Sequence, residues 1–143
     1  MAGQRIPATV RKKLKEARVA RLATLDKRSP HLVPICFVFD GTNIYTAIDR
    51  KPKKQSVNEL QRVRNIRANP HVAFIVDEYD EDWRKLWYVL VRGQAELIDK
   101  PGEEQERAIR LLRRKYSQYR VGLLSDEAHA IRIIPDRITW WGM

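Results

Sequence analysis

The sequence predicts a mainly β protein with α elements inserted, built as a barrel or sandwich of about seven strands and three helices. Three observations carry this. Short apolar runs rich in Val, Ile and Phe recur along the chain, separated by turn residues. An Asp40-Gly41 pair sits between two such runs, as a tight hairpin requires. Strands do not alternate with helices throughout, which argues against a doubly wound parallel sheet.

The elements follow in order. Thr9 is the expected N-cap of a helix from Val10 to Arg18, with Val10, Leu14 and Ala17 on one face. Val19 to Leu25 reads as a strand, ending in the turn Asp26-Lys27-Arg28-Ser29-Pro30. His31 to Phe39 is apolar on both faces, so cover on both sides is expected. Pro34 within it points to a bulge or an edge position, because proline donates no ladder hydrogen bond. Asn43 to Ile48 returns from the hairpin. A helix from Val57 to Ala68 carries Val57, Leu60, Val63 and Ile66 on one stripe. His71 to Asp77 and Leu86 to Ile98 are strands, with Gly93 a bulge or bend in the second. The helix opening at Pro101 has acids at its start and cations near its end, as the helix dipole favours. Two short strands, Ala130 to Ile134 and Arg137 to Trp141, are expected to meet at Pro135-Asp136.

At 143 residues the chain reads as one domain, 1–143. No apolar run approaches the ~20 residues of a membrane-spanning helix. The start of the chain lacks the apolar segment of a signal peptide, and Cys36 has no cysteine to pair with. Both point to a cytoplasmic protein. The formal net charge of +10 favours an anionic partner: nucleic acid, an acidic membrane surface or a phosphorylated small molecule. Base-reading motifs are absent, and the acidic run Asp77 to Asp82 would repel a polyanion, so nucleic acid is disfavoured.

No catalytic side chain declares itself. There is no G-x-S-x-G elbow, no Walker A sequence and no G-x-G-x-x-G. His31, His71 and His129 are scattered, so no metal site is expected. An enzyme of this kind needs a cofactor to carry its chemistry. The most unusual segment is Arg50-Lys51-Pro52-Lys53-Lys54, which follows directly on a strand and precedes a basic helix. It reads either as a solvated loop or as an anion site. Pro52 stiffens it, and the planar fork of Arg62 in the next helix can grip a phosphate through two contacts.

The order of three pieces resembles a known family: V-P ahead of the Asp-Gly hairpin, Arg62-Val63-Arg64-Asn65-Ile66 before Asn69-Pro70 and a strand, and Val91-Arg92-Gly93-Gln94-Ala95 in a long strand. Together they resemble the pyridoxamine 5'-phosphate oxidase-like split β-barrels, in the branch of coenzyme F420-dependent proteins. That resemblance implies a six- to seven-stranded split barrel of the FMN-binding type. It implies a homodimer with cofactor sites at the interface. Backbone of Pro34, Ile35 and Cys36, and of Thr46, Ala47 and Ile48, would run beside a flavin-like ring. Arg62 would hold a phosphate, Lys51, Lys53 and Lys54 would meet the anionic tail, and Trp87 and Trp141 would wall the site from the partner. The implied cofactor is coenzyme F420, with FMN as the alternative. The implied activity is hydride transfer between the deazaflavin and a small-molecule substrate. A non-catalytic flavin- or F420-binding protein of the same fold is the other reading.

Overall fold

The computed structural model describes residues 4–48 and 60–143. Its elements are α1 (Ala8–Glu16), β1 (Ala20–Leu25), β2 (Pro30–Ile35), β3 (Val38–Phe39), β4 (Ile44–Ala47), α2 (Gln61–Ala68), β5 (His71–Glu78), β6 (Trp87–Ile98), α3 (Glu103–Lys115) and β7 (Ala130–Trp141). The seven strands form one sheet in the order β2-β1-β5-β6-β7-β4-β3, every pairing antiparallel. β2 and β3 lie at opposite edges of that sheet, yet only Cys36 and Phe37 separate them in the chain. The three steps from Ile35 to Val38 span at most about 11 Å, so the sheet must curl until its edges meet. The result is a split barrel.

Alternation along each strand sets the two faces. Leu22 of β1, Phe74 of β5, Val89 and Val91 of β6, and Ile131 and Ile133 of β7 point into the barrel and are fully buried. Phe37, at the crossing from β2 to β3, meets Phe74 edge to face at 4.7 Å between centroids. Helices close the barrel's two mouths. α1 inserts Val10 and Leu14 into the core and ties its Arg11 to the carbonyl of Gly41. At the other mouth α2 inserts Val63 and Ile66, and Asn65 donates to the Thr24 hydroxyl at 2.9 Å. α3 lies outside the barrel, over Tyr45 and Ala47 of β4 and Ala130 of β7.

Several expectations change. The run His31 to Phe39 is two strands, because the barrel closes inside it. Pro34 does sit on an edge strand, opposite Arg21 of β1. The run is not covered on both sides: Leu32 is 64% exposed. The two C-terminal strands are a single strand. Arg92 pairs with Arg137 and Gly93 with Pro135, which leaves Asp136 as one extra residue. That bulge switches the inward set from Ile131 and Ile133 to Ile138 and Trp140. The N-cap of α1 is Pro7, without a side-chain cap, rather than Thr9. α2 begins at Gln61, and the expected start at Val57 lies outside the described residues. The Asp40-Gly41 hairpin stands as read, with Gly41 at φ 101°. Burial alone would raise the pKa of Asp40, but N–H donors of Asn43 and Thr42 and the Arg107 guanidinium outweigh it and hold the carboxylate below its usual range.

Candidate functional site

β4 runs toward the mouth that α2 closes. Its residues divide between two surfaces: Ile44, Thr46 and Ile48 turn toward the barrel, and Tyr45 and Ala47 turn toward α3. The Thr46 hydroxyl donates to the carbonyl of Cys36 at 2.7 Å, so the two cofactor-facing segments implied by the resemblance touch where the barrel closes. Ile35 and Ile48 lie in the barrel core, Cys36 packs on the α3 side, and Pro34 is exposed on the outer face. Arg62 is half-buried on α2, at the same mouth as the end of β4. Lys51, Lys53 and Lys54 lie outside the described residues.

The tryptophans sit elsewhere. Trp87 opens β6 at the mouth closed by α1; its indole N–H donates to Glu78 at 2.9 Å and Lys13 lies 4.6 Å from its ring centroid. Trp141 faces outward, opposite Tyr88, and is 53% exposed. Within one protomer neither joins the mouth at Ile48.

That mouth holds a feature the sequence reading missed: a cavity of about 830 Å³ between the end of β6, one face of α3 and the segment 126–129. Such a volume lies within the usual range for small-molecule and cofactor pockets. Ile98, Ile109 and Ala128 give it an apolar wall; Lys100, Arg110 and Arg113 supply cations, and Asp99, Glu106, Asp126 and Glu127 supply carboxylates. Two clamps hold the segment to the helix. Gln105 donates to the carbonyls of Asp126 and Ala128 at 2.8 and 2.9 Å, and Arg113 pairs with Asp126 at 2.7 Å. The cavity adjoins β4 directly, since the Ile48 N–H donates to the His129 carbonyl at 2.9 Å. His129 also lines it, with a buried Nδ1 that has no hydrogen-bond partner among the described residues. The cations near the end of the helix opening at Pro101 are the one trace of this pocket in the sequence, and their pattern fits an ordinary helix end as well.

A second buried cation lies beside Cys36. The Lys115 ammonium sits 4.0 Å from the Phe37 ring centroid and has no hydrogen-bond partner among the described residues. Burial, with help from the charge of Arg18, brings its pKa down to about 8. The neighbouring Tyr116 hydroxyl is within 3.0 Å of the Phe37 N–H and 2.9 Å of the carbonyls of Phe37 and Arg18. Burial pushes its pKa up to about 12.

A curled antiparallel sheet with helix-plugged mouths defines a split β-barrel. Residues 6–142 match the family profile described as pyridoxamine 5'-phosphate oxidase, and the chain belongs to that family. No curated protein matches it. Among solved structures, an F420 reductase is 22% identical at a TM-score of 0.67, covering 94% of this chain and 98% of that one. An FAD-binding protein of Mesorhizobium loti is 25% identical at 0.67, covering 94% of each chain. The haem storage protein HutZ of Vibrio cholerae is 15% identical at 0.72, covering 96% of this chain and 94% of the other. The fold is thus shared by proteins named for three different cofactors.

Proposed function

We propose that this protein is a coenzyme F420-dependent oxidoreductase that acts as a homodimer on a small organic substrate. The observation that carries the reading is convergence at one mouth of the barrel. The end of β4 adjoins the 830 Å³ cavity, and α2, the helix bearing Arg62, reaches its rim through the Arg67–Asp99 pair at 3.7 Å. The chain leaves Ile48 for the lysine-rich run at that same point. The site offers an apolar wall for a planar ring, the end of β4 beside it, and Lys100 and Arg110 as cations for phosphate; of its four carboxylates, Asp126 is paired with Arg113 and Asp99 with Arg67. When bound, the deazaflavin supplies the hydride. The chain's own part is to orient the ring against β4, exclude water with Ile109 and Ala128, and neutralise the tail with Arg62 and the lysines.

Dimer formation is supported by an uncovered apolar surface. Ile75, Leu90, Tyr88 and Trp141 face outward on β5, β6 and β7, and α3 does not reach them.

Titrating the purified protein with F420 and with FMN, read by fluorescence, tests the cofactor. Micromolar F420 binding with weaker FMN binding is expected. Tight FMN binding with no response to F420 would overturn the choice. Arg62→Ala should weaken binding at least tenfold and flatten its salt dependence, as loss of a phosphate contact does; unchanged affinity removes Arg62 from the site. Single-turnover bleaching of reduced F420 by candidate acceptors separates an enzyme from a carrier.

A further inference from the structure

His129 stands one residue ahead of β7, whose first residue, Ala130, pairs with Ala47 of β4 on one side and Ile98 of β6 on the other. The Ile48 N–H donates to the His129 carbonyl at 2.9 Å, so its backbone is pinned to the end of β4. Its half-buried imidazole lines the cavity together with Ile98 and Ala128.

The two ring nitrogens differ. Nδ1 is buried and has no hydrogen-bond partner among the described residues. Nε2 has none either, but it is not buried. Since the ring lines the cavity, Nε2 is the nitrogen that opens to it. A neutral imidazole carries its proton on one nitrogen only. A proton on Nδ1 would be a buried donor with nothing to accept it, the rarer kind of orphan. A proton on Nε2 can bond to whatever occupies the cavity. The imidazole therefore offers its Nε2–H as a donor.

The other side-chain donors of the wall are either committed or charged. Gln105 uses its amide N–H groups on the carbonyls of Asp126 and Ala128. Arg113 is held by the Asp126 carboxylate and the Leu124 carbonyl. Lys100 and Arg110 are exposed cations, suited to a phosphate or carboxylate. Among the described residues that line the cavity, His129 is thus the one uncommitted neutral side-chain donor. It shares that wall with the apolar side chains of Ile98, Ile109 and Ala128. One neutral donor in an apolar wall selects a flat ligand with an acceptor in its own plane, since a few placed polar groups fix orientation in such pockets.

We propose that His129 sets the orientation of the ring bound in this cavity, by donating from Nε2 to a carbonyl oxygen on the edge of a planar heterocycle. This assignment rests on the reading of the cavity as the cofactor site and adds the side chain that fixes the ring's rotation there. Because the His129 carbonyl is tied to Ile48, the donor is also held beside the point where the chain leaves β4 for the lysine-rich run.

Isotopically labelled histidine tests this on the wild-type protein. Long-range proton–nitrogen correlation spectra should show the His129 proton on Nε2, and that nitrogen should shift when F420 or FMN is added. A proton on Nδ1, or an Nε2 resonance unmoved by saturating ligand, would overturn the proposal. Titration with the same two ligands, read by fluorescence, gives a second measure. His129→Phe keeps a flat ring without the donor and should weaken binding about fivefold, the loss of one neutral hydrogen bond. His129→Gln carries an amide N–H that can reach the place of Nε2 and should restore affinity to within about twofold of wild type. Circular dichroism checks folding, and His129→Ala serves if the Phe variant does not fold. A Gln variant as weak as the Phe variant would assign the loss to packing and overturn the proposal. Equal affinity in the wild type and the Phe variant would overturn the role of His129 and leave the cofactor reading standing. Binding of FMN without F420 would overturn the choice of cofactor alone, since both rings carry edge carbonyls and the same variants then decide the role of His129 with FMN. A wild type that binds neither ligand would overturn the cofactor reading and this assignment together.

Discussion

Lys115 carries an ammonium into a space bounded by the Phe37 and Tyr116 rings. The rings attract the cation through their quadrupoles, but they do not replace its lost hydration. The folded state therefore releases the proton near pH 8, whereas the unfolded chain holds it to about 10.5. The sign follows from linkage. Between those values the unfolded state binds more protons, so stability rises with pH. Tyr116 acts oppositely, but only above about pH 10, since its folded pKa is raised from 10 to about 12. Urea unfolding between pH 7.5 and 9.5 should show the lysine's contribution as a rising midpoint. Lys115→Met should remove that rise and give a higher midpoint at pH 7. An unchanged pH profile in the variant would place the titrating group elsewhere. Tyr116→Phe is expected to be costly for a different reason. It leaves the buried Phe37 N–H, now 3.0 Å from the hydroxyl, without that partner. An unsatisfied buried donor costs about 1–3 kcal/mol, measurable as a lower urea midpoint at constant m-value. The sequence showed none of this, because a Lys-Tyr pair near a helix C-terminus is ordinary until α3 is laid over the crossing between β2 and β3.

At the scale of elements, what was legible depended on whether a residue's neighbours are local. The Asp40-Gly41 hairpin, the cation-rich end of α3 and the apolar stripe of α2 follow from contacts within a few residues. So does the edge position of Pro34. The break between Ile35 and Val38 is not local, since it exists because the sheet's edges meet there. The single β7 shows the same limit. Pro135-Asp136 looks like a turn in isolation, yet Gly93 opposite it lets the two strands approach closely enough to pair through a bulge. A Cβ built on Gly93 would lie 2.3 Å from the Ile134 carbonyl oxygen and 3.0 Å from its carbon. Those atoms are backbone and cannot swing aside. Gly93→Ala should therefore destabilise the protein by about 1–3 kcal/mol, the usual range for overpacking. Gly102→Ala makes a suitable control, because nothing lies within 4 Å of its Cβ position. Equal thermal midpoints for the two variants would show that the bulge accommodates a methyl group.

At the scale of the whole molecule, a ligand bound at the mouth beside Ile48 would be coupled to stability. The order of strands, and hence the family, could be read from sequence because spacing between hairpins survives large changes in side chains. The pocket could not, because its walls come from Ile98, Ile109 and His129, which only folding brings together. A ligand in that cavity would contact the end of β6, α3 and the segment 126–129 at once, parts of the chain that separate on unfolding. Binding to the native state alone stabilises by RT ln(1 + [L]/Kd), about 2.7 kcal/mol at one hundred times Kd. For a chain of this length each kcal/mol raises the melting temperature by about 2–4 °C. F420 at that excess should therefore raise Tm by about 5–10 °C in differential scanning calorimetry. An equal mass of duplex DNA should give a smaller shift that vanishes in 0.5 M salt, since phosphate-backbone contacts are screened and counterions released. Filling the pocket with Ala128→Trp should abolish the F420 shift while leaving any DNA response intact. A full shift retained in that variant would move the cofactor away from the cavity, to a site that does not depend on Ala128.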